Sequence, residues 1–184
     1  MALLESIKIP LGTQMPSFSL KDTAGKVFKS SDLYAHNGLL VFFTCNHCPY
    51  AQAVWPRVIR LGAYASTIKI GVVAINPNIN PDYPEDSAEG MVKKIKEFKI
   101  PFPYLVDDTQ KVARDFKAQC TPDIYLFNKN KELVYHGRID DNWKEEAAVT
   151  REELKSAMSN LVSGQGIDSK QYPSMGCSIK WCSE

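Results

Sequence analysis

Five apolar residues, Leu39-Leu40-Val41-Phe42-Phe43, run almost directly into a cysteine pair, Cys45-Asn46-His47-Cys48. An unbroken run of β-favouring side chains reads as a strand buried on both faces. Beyond Cys48 the apolar spacing turns helical, with Ala51, Val54, Val58, Ile59 and Leu61 at roughly 3.6 residues. The pair therefore falls where a buried strand ends and a helix begins. A second buried run, Ile68 to Ile75, follows that helix. Two buried strands with a helix between them make a right-handed βαβ unit, which calls for an α/β fold with helices against a sheet.

The position of the pair has chemical meaning. The first turn of a helix has free N–H groups and about half a positive charge, which stabilises an anion. Cys45 is therefore expected to have a lowered pKa and to be the attacking sulfur, with Cys48 about one turn further on and able to close a disulfide with it. His47 is a second candidate donor to the Cys45 thiolate, or else a solvated residue at a helix start. A stabilised thiolate makes the disulfide form a better oxidant. Other uses of such a pair fit less well. Zinc calls for a second close pair, and Cys177 and Cys182 are five apart. C-type haem attachment needs a His directly after the second cysteine, where Pro49 stands.

The chain has 184 residues, 44% of them hydrophobic, enough for one core, so we expect one domain, 1–184. Within it, 1–30 reads as an N-terminal extension and hairpin, and 165–184 as a C-terminal tail. A net charge of +1 leaves no electrostatic footprint for nucleic acid or a membrane surface. No apolar run approaches the ~18 residues of a membrane span. The first residues, Met1 to Lys8, lack the basic region and apolar core of a signal peptide. We therefore expect a cytoplasmic protein, where such a pair beside a βαβ unit is redox-active rather than structural. Five cysteines leave at least one thiol unpaired in a monomer.

Pro10, Gly12 and Pro16 predict irregular structure over the first 16 residues. Phe18 to Leu20 and Lys26 to Phe28 flank the turn Asp22-Thr-Ala-Gly25 and read as a β-hairpin. Ser30 to Leu33 suggests a helical turn. The helix after Cys48 runs to about Ala65, with Pro56 removing one backbone bond inside it. Glu85 to Lys99 reads as a helix, Pro101 to Val106 as extended, and Thr109 to Phe116 as a short helix. Ile124 to Phe127 and Glu132 to Ile139 form a second hairpin. Thr150-Arg-Glu-Glu153 is a capping box for a helix that Gly164 ends. The tail carries Tyr172, Met175, Ile179 and Trp181, so it is expected to dock on the body.

This order of elements resembles the thioredoxin fold: α/β, with a central mixed β-sheet flanked by helices. The hairpin Phe18-Ser-Leu-Lys-Asp-Thr-Ala-Gly-Lys-Val27 resembles the redoxin branch of alkyl hydroperoxide reductase/thiol-specific antioxidant proteins and thioredoxin-like oxidoreductases. Cys45-Asn-His-Cys-Pro-Tyr50, Tyr83-Pro-Glu-Asp-Ser87, Phe102-Pro-Tyr-Leu105, Thr121-Pro-Asp123, Gly137-Arg-Ile-Asp-Asp-Asn-Trp143 and Gly176-Cys-Ser-Ile-Lys-Trp181 are together similar to a group of small bacterial proteins of that kind. The resemblance implies that Cys45 is the nucleophile, Cys48 the resolving cysteine and Pro122 a cis-proline beside the disulfide, as against an ordinary trans proline. It leaves the backbone of Thr121 free to pair with an extended substrate. Thr121, Asn46 and Pro49 are the expected substrate contacts, and His47 joins the cysteines and Pro122 in the catalytic set. Thioredoxin itself differs, with Trp at the position of Thr44, an acid at that of Leu39, Gly-Pro in place of Asn46-His47 and a helix proline five rather than eight residues past the second cysteine. These departures argue against its substrates and strongly reducing potential. A His before the second cysteine is similar to the strong oxidant DsbA.

The resemblance also raises two alternatives. Peroxiredoxins carry Pro-x-x-x-Thr-x-x-Cys, which neither Cys45 nor Cys48 matches, because the Pro and Thr positions hold Gly38 and Phe42, or Val41 and Cys45. Sco-type proteins hold copper with two cysteines and a distant His, for which His136 is the candidate. Cys120, two residues before Pro122, is a third redox thiol or a small buried residue. Cys177 exchanges with the pair or with Cys182, or the tail merely anchors the terminus. Arg138 is a candidate accessory residue as partner of a buried acid, and Asp140 to Trp143 a candidate cleft lining. We expect a thiol–disulfide oxidoreductase that needs no metal or organic cofactor. Its partners are protein or small-molecule thiols and disulfides and an electron donor or acceptor, with no nucleic acid and no membrane.

Overall fold

The computed structural model describes residues 2–182. Strand β1 (Leu3–Glu5) precedes a hairpin of β2 (Ser19–Asp22) and β3 (Val27–Lys29) and a helical turn, α1 (Ser30–Leu33). The Asp22 carboxylate accepts from the Ala24 and Lys26 amides, and Gly25 supplies the φ of +81° that closes the hairpin. The apolar run is β4 (Gly38–Phe43), buried at every position, and α2 (Pro49–Thr67) follows it, continuing through Pro56. Then come β5 (Ile70–Asn76), a 3-10 turn at Pro84–Asp86, α3 (Ala88–Phe98), β6 (Tyr104–Val106), α4 (Lys111–Asp115), β7 (Cys120–Thr121), β8 (Asp123–Asn128), β9 (Leu133–His136), a 3-10 turn at Glu146–Ala148, α5 (Glu153–Ser163) and β10 (Met175–Ser178).

Strand β4 is the centre of a mixed sheet. It pairs antiparallel with β8, which pairs with β9. On its other side β5 runs parallel to it, tied by Asn37 N–H to Lys69 O and Thr44 N–H to Ile75 O, each 2.9 Å. The order continues through β6 and β2 to β3. Alternate β4 side chains feed opposite cores, as the two-residue period requires. Leu40 and Phe42 pack with Val54, Trp55 and Val58 of α2, Met91 of α3 and Met158 of α5. Leu39, Val41 and Phe43 pack with Phe18, with Val112 and Ala113 of α4 and with Phe116. Phe43 sits 5.3 Å from the Phe116 ring and 5.8 Å from Tyr125, centroid to centroid. Truncating so enclosed a ring to alanine costs about 3–5 kcal/mol. Among the described residues, no helix is long and apolar enough to cross a membrane.

Several expected elements are corrected. Residues Leu3–Glu5 are a strand within the segment read as irregular, because β10 pairs with them; three exposed residues carry no alternation of their own. The helix expected from Glu85 starts at Ala88, where the Ser87 hydroxyl accepts from the Gly90 amide at 3.1 Å. The Thr150 capping box does not form. Its hydroxyl donates to the Asp141 carboxylate instead, and α5 begins at Glu153 without a side-chain cap. Strand β9 stops at His136 rather than Ile139, because the tail takes over there, with Arg138 N–H donating to Tyr172 O at 3.0 Å. The tail docks as expected, and β10 is the middle strand of a small sheet, β1–β10–β7.

Candidate functional site

Pro49 is the first residue of α2, and Cys48 is its N-cap. Proline suits that position, since its missing N–H has no helical partner in any case. Gln52 N–H closes the first turn on Cys48 O at 2.9 Å. The free N–H groups of the helix start therefore lie beside Cys48 rather than Cys45. Cys45 lies just past the end of β4. Both sulfurs are free thiols and both residues are fully buried.

The expected lowering of the Cys45 pKa falls on Cys48 instead. Cys48 drops from 9.0 to about 5, first because Cys45 donates a hydrogen bond to it, with Cys177 and the Ala51 amide adding to the effect against the cost of burial. Cys45 is pushed well above 9.0, first by burial, then by that same hydrogen bond and by the charge of Asp86. The reason is local: the anion-stabilising end of α2 lies at residue 48, not 45.

The Thr121–Pro122 peptide is cis. The Thr121 hydroxyl lies 3.1 Å from Cys45 Sγ, and Thr121 O accepts from Cys48 Sγ at 3.1 Å when that sulfur is protonated. The backbone of Thr121 is not free for a substrate. Strand β10 pairs with it, with Cys177 opposite Thr121 and Ser178 opposite Cys120. A Cβ on Gly176 would stand 2.1 Å from Thr121 O, so only glycine lets β10 come this close. Cys177 thereby joins Cys45, Cys48 and Ala51 in one buried cluster.

The loop between the cysteines is held by a residue that the sequence reading missed, Asp86. It is fully buried and accepts from Asn46 N–H at 2.5 Å and Asn76 Nδ2 at 3.2 Å. Its second oxygen meets His47 Nδ1. His47 thus turns to Asp86 rather than donating to Cys45. Its ring stacks on Tyr83 at 4.1 Å, and its buried Nε2 has no partner. Asn46 does not face a substrate: it is buried, its amide donates to Glu85 O at 2.7 Å, and its oxygen accepts from Tyr104 OH at 3.1 Å. The available signal for Asp86 was Ser87, since a serine cap there leaves Asp86 outside the helix as a loop acid.

Cys120 is buried, donates to Pro122 O at 3.4 Å, and burial drives its pKa far up, so it remains a neutral thiol. Pro49 is exposed at the start of α2. Arg138 bonds to Glu153, with Nε at 3.1 Å from Oε1, and lies over the Tyr172 ring rather than beside the sulfurs. With Pro122 it borders a cavity of about 270 Å³ that no cysteine lines. Asp140 bonds to Arg57 at 2.6 Å, and Trp143 stacks near Tyr50. His136 does not meet the pair: its Nε2 bonds to Asp123 Oδ1 at 2.9 Å and its ring stacks on Tyr125. Cys45, His47 and Asp86 each bring a donor atom within 4.8 Å of the others, a set that could accept a metal ion.

The sequence profile of the AhpC/TSA family matches residues 11–136. Among functionally curated proteins no match is found. An uncharacterized conserved protein of Geobacillus kaustophilus is 40% identical, with a TM-score of 0.94 over 100% of this chain and 98% of its own. A secreted Mycobacterium tuberculosis disulfide oxidoreductase is 15% identical, with a TM-score of 0.59 over 77% of this chain and 94% of its own. Peroxidoxin BcpB of the same organism is 14% identical, with a TM-score of 0.62 over 85% of this chain and 98% of its own. The last two speak for the fold alone, and that fold is thioredoxin-like.

Proposed function

This chain belongs to the AhpC/TSA family, and on that premise we propose that it catalyses thiol–disulfide exchange at the Cys45–Cys48 pair, with Cys48 attacking and Cys45 resolving. The observation that carries the reading is a pair of free, buried cysteines at the start of α2, with Cys48 as its N-cap, beside cis-Pro122. This order is the reverse of the one implied by resemblance, and the placement of Cys48 rather than Cys45 at the N-cap of α2 supports it.

The Cys48 thiolate attacks one sulfur of a disulfide R–S–S–R′. That bond breaks, R′–S⁻ leaves, and Cys48 is joined to R. Cys45 then loses its proton, attacks Cys48 Sγ and releases R–S⁻. The substrate gains two electrons, and the pair becomes a disulfide. The Asp86 carboxylate and the His47 ring bonded to it stand ready for the Cys45 proton, and Asn46 and Asp86 hold the loop while this happens. The chemistry runs on protein sulfur. Its partners are protein or small-molecule thiols and disulfides, which also supply or take the electrons.

The test is equilibration in glutathione buffers with mass spectrometry of the trapped thiols. We expect a Cys45–Cys48 disulfide with a potential above thioredoxin's roughly −270 mV, because the reduced form is stabilised as a thiolate. If no such disulfide forms at any glutathione ratio, the reading is wrong.

A second reading, peroxide reduction, draws support from Thr121. Its hydroxyl 3.1 Å from Cys45 Sγ supplies the threonine that the peroxiredoxin sequence pattern lacks here. On this reading Cys45, the sulfur that the Thr121 hydroxyl touches, takes one peroxide oxygen as a sulfenic acid and hydroxide leaves; Cys48 then condenses with it, releasing water. Hydrogen peroxide consumption faster than disulfide exchange would make this the primary activity, and consumption no faster than that of free cysteine would remove it.

A further inference from the structure

Cys48 has a thiol on either side, and the proposed exchange uses only one of them. The other, Cys177, is 4% exposed and packs with Cys45, Cys48 and Ala51. It is held there by a built strand. Its partner in the β7–β10 ladder is Thr121, the residue that also touches both other sulfurs. Gly176 permits that approach, and bonds on both sides fix the strand. Ser178 N–H donates to Ala2 O at 3.0 Å, Ile179 N–H to Gln119 O at 3.1 Å, and Lys180 N–H to Asn78 Oδ1 at 2.8 Å. The strand thus lies where an extended substrate would pair beside Pro122, with a cysteine in the substrate's place.

We propose that Cys177 is a third redox thiol, delivered to Cys48 by strand β10, and that it competes with Cys45 to resolve disulfides formed at Cys48. The inference rests on the exchange reading above. In a Cys48–S–R mixed disulfide, Cys177 attacks Cys48 Sγ. The bond from Cys48 to R breaks, the Cys48–Cys177 bond forms, and R–S⁻ leaves with the proton Cys177 gave up. In the Cys45–Cys48 disulfide the same attack frees Cys45, which takes that proton. Neither step needs a further oxidant, because the oxidising equivalent is already in the disulfide.

The test uses reduced full-length protein with Cys182→Ser, which removes the exposed thiol, treated with 5,5′-dithiobis(2-nitrobenzoate). With Cys45→Ser added, we expect about two thionitrobenzoate anions per chain and a Cys48–Cys177 cross-linked peptide. With Cys45→Ser and Cys177→Ser together, release should stop at about one anion, leaving the adduct on Cys48. A stop at one anion already in Cys45→Ser overturns the proposal and leaves exchange at the pair intact. No release from Cys45→Ser, alongside a wild-type Cys45–Cys48 disulfide, overturns Cys48 as the attacking sulfur and the proposal with it. The wild-type chain, oxidised with limiting reagent, guards against a misfolded variant: it should yield the Cys48–Cys177 peptide beside the Cys45–Cys48 one, and its absence there also overturns the proposal.

Discussion

Cys45 and Cys177 reach the same sulfur by opposite routes. Cys45 comes along the chain, three residues before Cys48, and is fixed wherever β4 and α2 are fixed. Cys177 comes across the fold on β10, whose neighbours β1 and β7 are only three and two residues long. Both thiols help lower the Cys48 pKa. A flank held by a buried strand and a 19-residue helix is tied into the whole fold, whereas β10 is held by two short strands, for which we expect a lower opening free energy. Proximity to the Cys48 sulfur is thus built once from local geometry and once from remote pairing, and we expect the second to detach more readily.

The largest effect should come from removing what the two flanks share. Cys48→Ser takes away the thiolate and leaves two buried, raised thiols, so exchange with a small aromatic disulfide should fall by about 10³-fold or more at pH 7. If Cys48→Ser instead traps a stable mixed disulfide on Cys45 at near wild-type rate, the assignment of attacker and resolver reverses.

The remote flank can be broken by itself. In Gly176→Val the new side chain runs into Thr121 O, which lies 2.1 Å from the Cβ position and belongs to backbone that cannot swing aside. We expect β10 to leave, at a cost of about 1–3 kcal/mol in urea unfolding. Cys177 should then alkylate readily with iodoacetamide, while the Cys45–Cys48 disulfide still forms. A Cys177 that stays protected would mean that β10 is no more detachable than α2.

The same contrast marks what was legible in the sequence. The β2–β3 hairpin, the β4–α2–β5 unit and the pair at its junction follow from periodicity and turn residues in neighbouring positions. Pro49 even carries the correct helix start, since proline favours the first helical position, and that alone moves the helix end from Cys45 to Cys48. Strand β1 and the Cys177–Thr121 pairing have no such local trace, and Asp86 has only the indirect one of the Ser87 cap beside it. Asp86 matters because a loop folds it inward onto Asn46 and His47. Strand β1 exists because β10 is beside it. Thr150 shows the converse: a good local capping signal is lost when Asp141 takes its hydroxyl.

Asp86 offers a way to sharpen the comparison on the local side. Its charge raises the Cys45 pKa, whereas the leading influences on Cys177 are burial, Cys48 and Lys180. In Asp86→Asn, Cys45 should titrate at lower pH and Cys177 should not move, as read by thiolate absorbance in single-cysteine backgrounds. Equal shifts in both would mean that the carboxylate acts on the whole cluster rather than on one flank.

Stability against pH tests the comparison across both flanks at once, because the three sulfurs pull in opposite directions. Cys48 has its pKa depressed on folding, from 9.0 to about 5. Its contribution is therefore fully present above pH 9, shrinks as pH falls toward 5, and is gone below. Cys177 is raised from 9.0 to about 12, first by burial and then by its bond to Cys48. Its contribution is fully present below pH 9 and is lost as pH rises toward 12. The wild type should therefore gain on Cys48→Ser between pH 5 and 9, by at most ~1.4 kcal/mol per pH unit. Against Cys177→Ser it should lose ground above pH 9 and gain between pH 5 and 9 by the part of the Cys48 shift that Cys177 supplies. Urea unfolding across that range separates the two. If Cys177→Ser instead tracks the wild type between pH 5 and 9, Cys177 does not support the Cys48 charge, and the remote flank supplies a thiol alone.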